Sequence, residues 1–187
     1  MYETGSAAVL EVEIGACAVA IGDFDLVLPH LTTGLALCLH DGFDVGGVAY
    51  ALRGRSTPDE RAAVMRPGLF VDLALPELLR MMDERGARRE RRAALVGAAA
   101  GVGWRRAREM AGETATAART VLGMLRIPIV HEALGGGFSR AVAFNGLGRL
   151  RIDTARESGR VLELSASSPP SPSSSSSSAS PDPTSPG

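Results

Sequence analysis

The sequence predicts an α+β domain whose sheets are largely antiparallel. Short apolar runs outnumber helical repeats, and most of those runs are separated by tight-turn residues rather than by long crossover segments. The size of the core follows from composition. Because 45% of the 187 residues are hydrophobic, the chain can bury one substantial core.

The first part of the chain reads as strands joined by turns. Val9–Ile14 alternates apolar and acidic residues, which predicts a half-buried strand. Leu35–Leu39 is continuously apolar between two turn signals, as expected of a strand buried on both faces. Gly46–Leu52 follows closely enough to form a hairpin with it. Two shorter strands are predicted before this hairpin, at Cys17–Ile21 and Leu26–Leu28.

Two helices are predicted in the second part, after a polar loop at Arg53–Pro67. Apolar residues at helical spacing line one face of the first helix, which ends at Gly86. These residues are Leu75, Leu78, Leu79 and Met82. Pro76 is compatible only with a position near the start of that helix. The second helix is predicted at Glu113–Arg126.

Further strands are predicted around these helices. Asn145-Gly146 is a strong hairpin signal, and it joins predicted strands at Arg140–Phe144 and Arg149–Asp153. The other predicted strands are Ala93–Val96, Ile127–Val130 and Arg160–Leu164, the last of them at a sheet edge.

The end of the chain has a different composition. From Ser165 onward nearly every residue is Ser, Pro, Ala or Asp, so there is too little apolar surface to offset the entropy of ordering. We therefore expect a folded domain at residues 7–164 and a disordered Ser/Pro-rich tail at residues 165–187.

Charge and composition exclude several classes of function. A net charge of −1 provides no global field toward nucleic acid or an anionic membrane. No apolar stretch reaches the roughly 18 residues that span a bilayer. Two cysteines are too few for a disulfide scaffold, and no signal peptide is recognisable. We expect a cytoplasmic protein without nucleic-acid binding or direct membrane insertion. Three dispersed histidines predict no metal site, and no cofactor is expected.

Several segments together resemble the CheD family of bacterial chemotaxis. Ile14–Ala20 reads IGACAVA, Thr32–Asp41 reads TTGLALCLHD and Gly46–Gly54 reads GGVAYALRG, in the order of the family's early motifs. Residues 70–101 resemble its Tyr-Ala-Asp helix and Gly/Ala-rich strand, and Ile127–Ile152 resembles its Glu-Asp-Leu-Gly-Gly-Asn hairpin. The resemblance implies a layered sandwich of two largely antiparallel or mixed sheets, with two main helices packed on one side.

Members of this family hydrolyse the side-chain amide of chosen glutamines on chemoreceptors, and they bind the CheC-type phosphatase. In that reaction a thiolate attacks the carboxamide carbon, and a histidine activates the thiol and protonates the departing ammonia. Water then hydrolyses the thioester. The resemblance therefore implies a chemoreceptor, a CheC-type phosphatase or both as partners.

The sequence departs from the family's pattern at the reactive positions. Aligning the apolar strand and its terminal Asp places Gly34 at the position of the family's nucleophilic cysteine. Aligning the Gly-Gly turn places Tyr50 at the histidine position, and the threonine position falls on Leu28. Glycine carries no nucleophile, and a phenol with a pKa of about 10 is a poor base at neutral pH. The resemblance therefore predicts an inactive homologue that acts by binding.

Two other hypotheses stay open from the sequence. The first is an active protein-glutamine deamidase that uses a displaced thiol, either Cys17 or Cys38, which lies two residues before His40. Residues i and i+2 of a strand lie on one face about 7 Å apart, and a buried cysteine commonly acts as a small hydrophobe. The second is an unrelated structural or interaction domain.

The remaining polar signals predict surface positions. His30 and His131 are expected to be exposed or at a sheet edge. The arginine clusters at Arg85–Arg92 and Arg105–Arg108 are expected to be solvated, with an anionic partner as the alternative.

Overall fold

The computed structural model describes residues 9–57, 65–100, 104–155 and 159–164, which form ten strands and two α-helices. The strands are β1 (Val9–Glu11), β2 (Cys17–Ile21), β3 (Asp25–Leu31), β4 (Leu35–His40), β5 (Val45–Ala51), β6 (Arg92–Gly97), β7 (Ile129–Leu134), β8 (Arg140–Asn145), β9 (Arg149–Thr154) and β10 (Arg160–Glu163). The helices are α1 (Val71–Glu84) and α2 (Arg105–Met124), and a short 3-10 helix at Pro67–Leu69 precedes α1.

The strands form two five-stranded sheets. The first has the order β1-β3-β8-β9-β10, and the second has the order β2-β5-β4-β6-β7. Most neighbouring strands are antiparallel, whereas β1 pairs with β3 and β6 pairs with β7 in parallel. Both predicted hairpins are present, β4 with β5 and β8 with β9. The predicted α+β sandwich of mixed sheets is thereby confirmed.

Two apolar layers hold this sandwich together. The helix-side core lies between the second sheet and both helices, and it includes Leu37, Leu39, Leu75, Leu78 and Leu122. The inter-sheet core lies between the two sheets, and it includes Leu28, Cys38, Tyr50, Phe144 and Ile152. Strands β4 and β5 are buried at every position because their two faces contact different cores.

The helices differ from the prediction in their bounds. Helix α2 begins at Arg105 rather than at Glu113, and the small residue Ala111 continues its buried face before the predicted start. Pro76 lies in the second turn of α1, where it removes the bond to the carbonyl of residue 72. Both helices pack on the second sheet, as expected.

Some strand predictions need correction. The strand predicted at Val9–Ile14 ends at Glu11, and its three residues are exposed rather than half-buried. The strand predicted at Ile127–Val130 is displaced to Ile129–Leu134. Parts of the predictions lie outside the described residues. These are residues 7–8, 58–64, 101–103 and 156–158 of the predicted domain, which include part of the polar loop, and the whole tail at 165–187.

Candidate functional site

Gly34 and Tyr50, the two positions aligned with the family's cysteine and histidine, are in direct contact. Gly34 precedes strand β4 and Tyr50 lies on the neighbouring strand β5. A Cβ atom built on Gly34 would lie 2.3 Å from Cε2 of the Tyr50 ring and 3.0 Å from Cδ2 of Leu52. The ring therefore fills the volume into which a side chain at position 34 would project. We call this place the slot.

Tyr50 is held in the slot by burial and by one hydrogen bond. Its side chain is buried, at 5% exposure, and its hydroxyl donates to the carbonyl oxygen of His30 at 2.9 Å. Burial raises the pKa of the Tyr50 phenol above its ordinary value. The phenol consequently stays protonated at neutral pH, and its oxygen is oriented toward a carbonyl rather than toward position 34.

Leu28, at the aligned threonine position, is an apolar core residue. It is completely buried on β3 and belongs to the same inter-sheet core as Tyr50. A leucine side chain offers no hydrogen bond with which to orient a thiol or an amide.

Backbone hydrogen bonds frame the slot. The carbonyl of Gly34 accepts from Ala98 N–H at 2.7 Å, and the carbonyl of Thr32 accepts from Ala99 N–H at 2.9 Å. A Cβ on Gly97 would lie 2.4 Å from the Gly34 carbonyl oxygen. The two backbone segments can therefore come this close only because residue 97 is glycine, and its φ of +119° also favours glycine. Arg140 donates to the carbonyl of Gly135 at 2.7 Å and reinforces the frame.

Cys17 lies on the other face of the second sheet from the slot. Its side chain packs against the helix-side core, and its Sγ is 3.8 Å from the carbonyl oxygen of Ala74. Burial, together with the negative charge of Glu77, raises the pKa of the Cys17 thiol to about 12. This thiol and the Tyr50 ring belong to different cores, and the structure does not bring Cys17 into the slot.

Cys38 is a completely buried residue of the inter-sheet core. Burial raises the pKa of its thiol to about 12. His40, two residues along β4, accepts at Nδ1 from Gly42 N–H at 3.1 Å, and its Nε2 lies 2.9 Å from the carbonyl oxygen of Gly146. Both ring nitrogens are thus occupied by the backbone. The imidazole of His40 is not available as a base for Cys38.

The other histidines lie where surface positions were expected. His30 is exposed, although on strand β3 and not in a loop. His131 is on edge strand β7, and its Nε2 lies 3.2 Å from the carbonyl oxygen of Glu163. Within the described ranges, no three His, Cys, Asp or Glu side chains form a metal-ligand cluster. Nor is any helix in those ranges long and apolar enough to cross a membrane.

A groove of about 790 Å³ lies beside the slot, between residues 52–55 and helix α2. Leu52 contributes to both places, and Arg106 lies on the helix side of the groove. The threonine hydroxyls that line the groove mostly donate to carbonyls of their own helix, as Thr120 does to Thr116 at 3.0 Å.

A polar network that sequence reasoning missed lies at the opposite end of β4. Asp41 is 2% exposed, and its carboxylate accepts from the backbone N–H groups of Phe43, Val45 and Arg88 at 2.9, 3.1 and 3.0 Å. Burial by itself raises the pKa of Asp41, but the three N–H donors outweigh burial and hold the pKa below its ordinary value. The Asp41-Gly42 turn signal was visible in the sequence, whereas its long-range partner at Arg88 was not.

Comparison with known proteins identifies the family to which the chain is similar. The chain matches the family model described as "CheD chemotactic sensory transduction" over residues 55–154. It is 30% identical over 139 residues to a protein of Clostridium novyi named "Probable chemoreceptor glutamine deamidase CheD", which covers 68% of this chain and 85% of that protein.

A protein of Methanococcus maripaludis with the same name is 39% identical over 94 residues, covering 49% of this chain and 58% of that protein. The range matched by the family model begins after Gly34 and Tyr50, so that match does not depend on the slot. The length of the match and the similarity to the Clostridium protein lead to one conclusion: this chain belongs to the CheD family.

Proposed function

We propose that this chain is a CheD-family protein that binds a chemoreceptor without deamidating it. The observation that carries the proposal is the 2.3 Å separation between a Cβ built on Gly34 and the Tyr50 ring. Where the family's mechanism needs a thiol beside an imidazole, this chain has a backbone without a side chain beside a buried phenol.

The reaction needs a nucleophile and a base, and neither is present at the aligned positions Gly34 and Tyr50. Attack on a carboxamide carbon needs a nucleophile, and removing one from a comparable constellation lowers kcat by about 10⁶. The base must accept the thiol proton, which the protonated Tyr50 hydroxyl cannot do while it donates to the His30 carbonyl. The Tyr50 ring also fills the volume that a nucleophilic side chain at position 34 would need.

The two native thiols do not replace the missing nucleophile. With a pKa of about 12, each is a thiolate in only about one molecule in 10⁵ at neutral pH. His40, two residues from Cys38 on β4, has both ring nitrogens in contact with backbone groups. A displaced-cysteine deamidase is therefore the alternative that the experiment must exclude.

The chemoreceptor is the proposed partner because both relatives carry names that identify a chemoreceptor as their substrate. A CheC-type phosphatase is the second partner to test, as the sequence resemblance implies. With either partner, the proposed location of the protein is the cytoplasm.

The test combines binding with chemistry. The full chain is incubated with the cytoplasmic fragment of a chemoreceptor from the same organism, and saturable binding and ammonia release are measured on the same samples. An active deamidase of the family with its own receptor is the positive control. We expect binding and no ammonia. Ammonia release that disappears in Cys17→Ala or Cys38→Ala would establish the displaced-cysteine enzyme, and absence of binding would refute the proposal.

A further inference from the structure

Three turns meet at the end of β4 that lies away from the slot. They follow β2, β4 and β8. In the first turn Gly22 N–H donates to the Asp44 carbonyl of the second turn at 2.9 Å. A Cβ built on Gly146 in the third turn would lie 2.5 Å from both the Gly22 nitrogen and the Asp44 carbonyl oxygen. The three turns are therefore packed against one another.

His40, the last residue of β4, connects two of these turns through its imidazole. The side chain is completely buried, and its ring lies edge-on to the ring of Phe144 on β8, with 6.5 Å between the centroids. Nδ1 lies 3.1 Å from the nitrogen of Gly42, and Nε2 lies 2.9 Å from the carbonyl oxygen of Gly146. The ring thus links the β4–β5 turn of the second sheet to the β8–β9 turn of the first sheet.

These two contacts fix the protonation state of the ring. The backbone nitrogen of Gly42 can only donate its hydrogen, so Nδ1 must accept with its lone pair. The carbonyl oxygen of Gly146 can only accept, so Nε2 must carry the proton. His40 is therefore neutral in this structure, as the tautomer with hydrogen on Nε2.

The charged residues around the ring do not provide an acceptor for a protonated Nδ1. The carboxylate of Asp41 lies 4.0 Å from Nε2, beyond hydrogen-bond distance, and it already accepts from three backbone N–H groups. Arg92, directly opposite His40 in the register of β6, adds positive charge, and β5 presents the uncharged Gly46. The other charged residues on the neighbouring turns and strands are Asp23, Asp25, Asp44, Arg88 and Arg149.

Protonation of His40 would break its contact with Gly42. A proton taken from solvent onto Nδ1 would point at the N–H of Gly42, and two donors would then face each other without an acceptor. Such an arrangement is costly in a buried place. Gly42 is partly exposed and can move toward water, whereas the ring is packed against Phe144 and held by Gly146. The part that moves is therefore the β4–β5 turn.

We infer that His40 is a pH-sensitive switch in the fold: the neutral ring holds Gly42, and protonation of the ring releases the β4–β5 turn. Histidine is the side chain that ordinarily changes charge between about pH 5 and pH 8. Asp41 does not produce this response, because three N–H donors hold its pKa below the ordinary value and it stays ionised in that range. The switch does not depend on the proposed function.

The test is NMR spectroscopy of the full chain labelled with ¹⁵N. At neutral pH, long-range correlations within the His40 ring should show hydrogen on Nε2 and none on Nδ1. The exchange protection of the Gly42 amide, which is the ratio of its intrinsic to its observed exchange rate, is then measured at about pH 7 and about pH 5. The proteins compared are the wild type, His40→Asn and His131→Asn.

The two variants separate the switch from other effects of acid. Asparagine at position 40 does not titrate, and its side-chain oxygen can accept from the N–H two residues farther on, which is that of Gly42. His131→Asn is the matched control, since it removes a titrating imidazole from the edge strand β7. The amide of Ala98, which donates to the Gly34 carbonyl at 2.7 Å, reports on the other end of β4.

We expect the protection of Gly42 to fall about tenfold or more between pH 7 and pH 5 in the wild type and in His131→Asn. In His40→Asn it should change less than about threefold, as should the protection of Ala98 in all three proteins. Unchanged protection of Gly42 in the wild type, a loss that persists in His40→Asn, or an equal loss at Ala98 would overturn the inference. Hydrogen on Nδ1 at neutral pH would overturn it even if His40→Asn did not fold.

Discussion

The two ends of strand β4 have opposite chemistry. At the Gly34 end the neighbouring side chains are a tyrosine and leucines, and the volume that a nucleophile would need is filled. At the His40 end, buried polar side chains bind the backbone of three turns and leave apolar groups exposed. In this chain the hydrogen-bonded polar side chains lie at the end of β4 away from the positions aligned with the family's catalytic residues.

The difference shows which constraints the fold itself imposes. The slot tolerates loss of its polar groups because Tyr50 and Leu28 become part of the inter-sheet core and add apolar packing. The opposite end would not tolerate such a loss, since removing one partner leaves buried N–H groups without acceptors. The loss of catalysis that we propose is therefore compatible with the fold.

Restoring the family's pair of residues at the slot is expected to give the largest effect. In Gly34→Cys with Tyr50→His, the new thiol should alkylate about 10³-fold faster than Cys17 and Cys38, because the pKa of those thiols is raised to about 12. The measurement is the rate of iodoacetamide modification of each cysteine in the folded protein, resolved by mass spectrometry.

Gly34→Cys alone is the control, since it keeps the Tyr50 ring in the slot. Equal alkylation rates for the new thiol and the two native thiols would show that position 34 does not face an imidazole at position 50.

The opposite end should respond through stability and its pH dependence. Asp41→Asn is expected to lower the free energy of unfolding by about 2 kcal/mol at neutral pH, because an amide is a weaker acceptor and directs an NH₂ group at one of three N–H donors. The folded-state pKa of Asp41 lies below its ordinary value. The carboxylate therefore stabilises the fold above that ordinary value, and this contribution disappears as the pH falls through the folded-state pKa.

Urea unfolding of the wild type and Asp41→Asn between about pH 7 and pH 3 measures this difference. Asp83→Asn, which changes an exposed carboxylate paired with Arg91, is the matched control and should alter stability by less than about 0.5 kcal/mol. A difference between wild type and Asp41→Asn that grows toward acid would contradict the network described here.

Removing one hydroxyl group from the slot should have the smallest effect. Tyr50→Phe loses the hydrogen bond to the His30 carbonyl and keeps the ring, so we expect a loss of about 1 kcal/mol in the free energy of unfolding and no change in receptor binding. Chemical denaturation and the receptor-binding assay provide the two readouts. Weaker binding without a change in stability would mean that the slot contacts the receptor.

The sequence predicted the elements of the fold well where local chemistry determines them. The β4–β5 hairpin follows from a continuous apolar run between turn signals, and the β8–β9 hairpin follows from Asn145-Gly146. The start of α2 was missed because alanines continue its buried face, and alanine gives a weak periodic signal. The exposure of β1 was missed because alternation alone does not show whether another layer covers a strand.

The site could be predicted only in part. Aligned motifs placed Gly34 and Tyr50 at the reactive positions, and the structure brings these residues together. That the ring occupies the nucleophile's volume depends on the register of β4 against β5, which no local pattern specifies. The contact between the turns at the other end of β4 joins residues more than one hundred positions apart, His40 and Gly146, and was not foreseen.

The contact between Gly34 and the Tyr50 ring is tested most directly by a double-mutant cycle of Gly34→Ala and Tyr50→Ala. The quantity measured for each protein of the cycle is the free energy of unfolding. A methyl group at position 34 has no room while the ring is present and gains room once the ring is removed. We predict that Gly34→Ala destabilises the protein by about 2 kcal/mol more in the presence of Tyr50 than in its absence. Effects that add within about 0.5 kcal/mol would show that the ring does not fill the slot, and would contradict the account.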